Sequence, residues 1–111
     1  MDNLQILFRE RPEAWNFIQL YLEYVHTIDD LIDEGFEKER LLKSYYLASL
    51  LYSSDYFMRN RAQLLPIEHN IINTYADSVK WEKLDEWKQH ANTLRHCGLD
   101  MLFKVIQLEF G

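Results

Sequence analysis

The chain has 111 residues, of which 48% are hydrophobic, and its formal net charge at pH 7 is −6. This length supports one core, so we expect a single helical domain over residues 1–111. The negative charge disfavours a nucleic-acid binder, because such proteins gain affinity by neutralising phosphates with Lys and Arg. No segment approaches the run of about eighteen apolar residues that a membrane span needs, so no membrane partner is expected.

Three glycines and two prolines leave little material for turns, which favours a few long helices. A short amphipathic helix is predicted from Asp2 to about Arg9. Pro12 suits the first turn of a long helix, because that position needs no amide donor. The helix reads "PEAWNFIQLYLEYVHTIDDLIDE", and we expect it to end in a left-handed cap at Gly35.

Three further segments complete the predicted architecture. The segment "EKERLLKSYYLASLLYSSDYFMRNRAQLL" should end at Pro66, and the segment "PIEHNIINTYADSVKWE" should start on that proline. The last segment, "LDEWKQHANTLRHCGLDMLFKVIQLEF", contains Gly98, which indicates a kink or a close helix contact. We therefore predict an all-α, antiparallel up-down bundle of four main helices with a short extra N-terminal helix.

Two of these helices carry more apolar surface than one core needs. The second segment is apolar nearly all round its axis. The last has a core stripe at Trp87, Leu94, Met101, Val105 and Leu108, and a second apolar stripe on another side. We expect self-association, in a homo-oligomer or with a helical protein partner. The residues assigned to it are Leu99, Phe103, Ile106, Phe110, Tyr46 and Phe57.

The stretch "HTIDDLIDE" concentrates acidic side chains on one side of the first long helix. At about 100° per residue, its carboxylates fall together with His26 and opposite the apolar side chains. An amphipathic helix with a hydrated charged side is the simplest explanation. As a binding face it would dock a basic partner through Glu23, Asp29, Asp30, Asp33, Glu34 and Glu37.

The same stretch contains a DDxxD array formed by Asp29, Asp30 and Asp33, with His26 beside it. Carboxylates at this spacing can bridge Mg²⁺ ions that hold a diphosphate. Over about nine residues, "TIDDLIDE" resembles the first aspartate-rich motif of squalene and phytoene synthases and, more loosely, of trans-isoprenyl diphosphate synthases. The resemblance implies a Mg²⁺-dependent enzyme acting on a diphosphate-bearing small molecule. No second aspartate-rich motif follows in the chain.

Two other stretches resemble metal-binding patterns. "EGFE", from Glu34 to Glu37, and "YSSD", from Tyr52 to Asp55, resemble the paired acidic motifs of MazG-type nucleotide pyrophosphohydrolases, but Tyr52 stands where a carboxylate belongs. Glu23 and His26 match the Glu-x-x-His spacing of di-iron bundles, although no second copy is found. Neither pattern is as complete as the DDxxD array.

Cys97 is the only cysteine, so no intramolecular disulfide can form, and a cytoplasmic location is the simplest expectation. His90 and Cys97 could meet a soft metal, although a packed thiol is commoner. The interpretation we favour is a small acidic interaction or regulatory module, non-catalytic and without a cofactor. The alternative is the Mg²⁺-dependent enzyme using Asp29, Asp30 and Asp33.

Overall fold

The computed structural model describes residues 2–81 and 95–111, and within these ranges the chain is helical with no strand. The elements are α1 (Asp2–Leu7), α2 (Pro12–Glu34), α3 (Lys38–Tyr52), α4 (Asp55–Arg59), α5 (Arg61–Trp81), a 3₁₀-helix (Arg95–Gly98) and α6 (Leu99–Phe110). The predicted all-α class is confirmed. The antiparallel four-helix arrangement is compatible with these elements and stays a prediction.

The chain divides into two compact units, Met1–Asn60 and Arg61–Gly111. The first unit contains α1 to α4, and the second contains α5, the 3₁₀-helix and α6. The single domain expected over residues 1–111 stays a prediction. Within residues 2–81 and 95–111, no helix is both long enough and apolar enough to cross a lipid bilayer.

Helix α2 has the bounds that its flanking residues predict. Pro12 is its first residue, and Gly35 follows its last. Gly35 has φ 105° and ψ 162°, so φ is positive as expected, but ψ is extended rather than left-handed helical. Only glycine adopts this region readily, which explains the residue at this position. The chain therefore leaves α2 in an extended conformation and begins α3 three residues later.

Aromatic rings form the centre of the first unit. Phe17 of α2 lies 5.1 Å from the Tyr56 ring and 6.3 Å from the Phe57 ring, centroid to centroid. Tyr52 packs edge-on against Phe57 at 5.2 Å, and Tyr24 packs edge-on against Tyr52 at 6.5 Å. Pairs of this geometry add about 0.5–1.5 kcal/mol each beyond area burial. This row of rings holds α2, α3 and α4 together.

The second predicted segment is not one helix. It breaks at Ser53 and Ser54 and again at Asn60. The Ser54 hydroxyl accepts a hydrogen bond from the Phe57 amide at 3.2 Å, which caps the N-terminus of α4. The Asn60 side chain donates to the Tyr56 carbonyl at 3.0 Å and helps to close that short helix. Side chains that bond to nearby backbone groups thus end each piece.

Pro66 lies inside α5, so the prediction that one helix ends and the next begins there was wrong. It is the sixth residue of a helix that starts at Arg61. A proline there removes one amide donor, the one that would bond to the Ala62 carbonyl. The rest of this 21-residue helix continues past that single missing bond.

The second unit is built on the contact of α5 with the 3₁₀-helix and α6. Leu64 and Ile71 of α5 are buried, as are Met101 and Val105 of α6. Leu108 is half-buried, while Trp87 and Leu94 of the predicted core stripe lie outside the described residues. Gly98 is buried and joins the 3₁₀-helix to α6 with φ −57° and ψ −23°.

Candidate functional site

Helix α2 and the connection after it present the predicted acidic side chains to solvent. Glu23, Asp33, Glu34 and Glu37 are exposed, while Asp29 and Asp30 are half-buried. His26 lies one turn before Asp30, and its Nε2 atom is 3.6 Å from Asp30 Oδ2. We call these six carboxylate residues the acidic face, with His26 beside them.

Helix α3 supplies bases that reach this face. Lys43 Nζ lies 3.3 Å from Glu23 Oε1. Arg40 contacts Glu34 at 3.4 Å and Glu37 at 3.8 Å. All five side chains remain a third or more exposed, so each pair contributes at most about 1 kcal/mol. The bases lower the charge at both ends of the acidic face, which helical-wheel reasoning on α2 alone did not predict.

The DDxxD residues lie on one helix, as the spacing requires. Across residues 2–81 and 95–111, no group of three or more His, Cys, Asp or Glu side chains is arranged to hold a metal ion. Glu34 and Glu37 lie on either side of the helix end at Gly35 and both face Arg40. The metal hypotheses for His26, Asp29, Asp30 and Asp33 and for the MazG-like pattern therefore gain no geometric support.

Several large apolar side chains of α3 and of the turn before it are exposed, interspersed with the exposed charged residues Lys38, Glu39 and Lys43. The exposed fractions are 77% for Phe36, 67% for Tyr45 and 65% for Tyr46. We call this area the hairpin surface, and its residues are Phe36, Leu41, Leu42, Tyr45, Tyr46 and Leu50. Phe57, assigned to the same role as Tyr46 from the sequence, is only 4% exposed and belongs to the core. Contacts of its ring with Phe17 and Tyr52 explain the difference.

A groove of about 430 Å³ lies between side chains of the C-terminal half of α2 and side chains of α3. Its lining residues are Tyr24, Ile28, Leu31, Ile32, Phe36, Leu41, Ser44, Tyr45 and Ala48. Ser44 is buried, and its hydroxyl donates to the Leu41 carbonyl at 2.7 Å. Leu31 is also buried. The sequence did not predict this groove, although apolar residues precede and follow the "EGFE" turn.

The second apolar stripe predicted for the last helix lies on α6 and is largely exposed to solvent. Leu99, Phe103 and Phe110 are exposed, Phe103 to 60%, and Ile106 is half-buried. We call these four residues the α6 face. The core side of the same helix is separate, since Met101 and Val105 are fully buried. The two stripes thus differ in burial as their angular separation on the helix predicts.

Cys97 is half-buried, and its thiol donates to the Ile71 carbonyl at 3.5 Å. Burial raises the pKa of this thiol, and the charges of Asp100 and Glu68 raise it further against the opposing effect of a backbone hydrogen bond. A thiol that stays protonated is a poor nucleophile and a poor metal ligand. His90, its suggested partner, lies outside the described residues.

No protein-family model, curated protein or solved structure matches the chain significantly. Two kinds of surface on the described residues therefore bear on the function. One is acidic and lies along α2, and the other is apolar and lies on α3 and α6.

Proposed function

We propose that this protein is a non-catalytic interaction module that associates with itself through exposed apolar surfaces and docks a basic partner on its acidic face. The observation that carries the proposal is the hairpin surface, where three aromatic rings are about two-thirds or more exposed. Groups of large apolar side chains exposed on a folded chain are typical of interaction sites. The α6 face adds a second surface of the same kind.

The acidic face supports the proposed docking of a basic partner. Its carboxylates are exposed or half-buried, and the bases that reach it come from this chain's own α3. Exposed pairs of this kind are weak, so Lys or Arg side chains of a partner can replace Lys43 and Arg40 at little cost. Charges of one sign also speed the approach of an oppositely charged partner.

The groove and the acidic face lie on different sides of α2. At about 100° per residue, Asp30 projects roughly 160° from Ile28, which lines the groove, and Asp33 projects roughly 140° from it, whereas Asp29 lies nearer, at roughly 100°. A small molecule whose apolar part filled the groove would therefore hold its diphosphate away from Asp30 and Asp33. This separation favours the interaction module over the Mg²⁺-dependent enzyme.

The test neutralises four acidic residues together in Asp29→Asn, Asp30→Asn, Asp33→Asn and Glu34→Gln. The defined probe is a helical peptide rich in Lys and Arg, titrated by calorimetry at low and physiological ionic strength. We expect the variant to fold and its affinity to fall about tenfold or more, because the attraction is electrostatic.

A matched control carries the same change in charge at exposed carboxylates elsewhere, namely Glu10→Gln, Asp55→Asn, Asp77→Asn and Asp100→Asn. It should bind the peptide nearly as well as the unmodified chain. Equal losses in the two variants would show an effect of net charge alone. That result would remove the acidic face as the docking site.

A further inference from the structure

We draw no further inference here: the strongest candidate, the apolar groove between α2 and α3 with the exposed ring of Phe36 at its edge, carries none because nothing in the described part of the chain shows what covers it.

Discussion

Cys97 donates its thiol hydrogen to the carbonyl oxygen of Ile71 and lies close enough to Asp100 and Glu68 to be affected by their charges. Both carboxylates disfavour a thiolate at this position, and burial disfavours it more strongly. The residue therefore acts as a small packed group that joins the 3₁₀-helix to α5. Its chemistry does not contribute to the proposed function.

The raised pKa of Cys97 predicts a dependence of stability on pH. The folded chain holds the thiol proton more tightly than the unfolded chain does, so the stabilisation is fully present below the unfolded pKa. It is lost as pH rises through the folded pKa. Urea unfolding between neutral and alkaline pH should show a smaller decline in the unfolding free energy for Cys97→Ala than for the unmodified chain. Equal declines in the unfolding free energy of the two proteins would mean that folding does not change the pKa of the Cys97 thiol.

The break between α3 and α4 depends on hydroxyl groups rather than on glycine or proline. Ser53 and Ser54 end α3 by donating to the carbonyls of Ser49 and Leu51, at 2.6 Å and 2.7 Å. Ser54 also starts α4. Serines within an apolar segment are compatible with a continuous helix as well as with a break. The break was therefore not predictable from the residues, whereas the end of α2 at Gly35 was.

The contribution of the Ser54 cap on α4 to stability can be measured by substitution. Ser54→Ala removes the acceptor for the Phe57 amide and should lower the free energy of unfolding by about 0.5–2 kcal/mol. Ser53→Ala is the matched control, because its exposed hydroxyl bonds only to the Ser49 carbonyl. Its effect should stay within about 0.5 kcal/mol in the same urea titration. Equal losses would show that Ser54 has no capping role.

Considered as a whole, the chain presents an uncharged groove between α2 and α3 and an acidic face on another side of α2. Glu23 and Lys43 lie on one edge of the α2–α3 hairpin, and the groove lies on the other. Under the proposed function, the acidic face would bind the basic partner while the exposed apolar side chains are used for self-association. We therefore expect added salt to release the basic peptide from the acidic face, because that contact is electrostatic. Self-association through apolar side chains should be insensitive to salt.

The Mg²⁺-dependent alternative makes a different prediction for the whole molecule. Addition of millimolar Mg²⁺ with pyrophosphate should leave the melting temperature unchanged if the acidic face is a docking surface. A ligand at 100 times its dissociation constant would instead stabilise the fold by about 2.7 kcal/mol. A rise in melting temperature that disappears in Asp30→Asn would favour the enzyme.

The sequence by itself determined the helical class, the bounds of α2 and the sides on which its carboxylates and apolar residues lie. These properties are local, because Pro12, Gly35 and the helical repeat constrain the backbone without reference to distant residues. Only the tertiary structure decided that Phe57 is core while Tyr46 is exposed, and that Lys43 reaches Glu23. A helical wheel gives the direction of a side chain but not which neighbouring helix covers it, and that neighbour distinguishes a core from a binding surface.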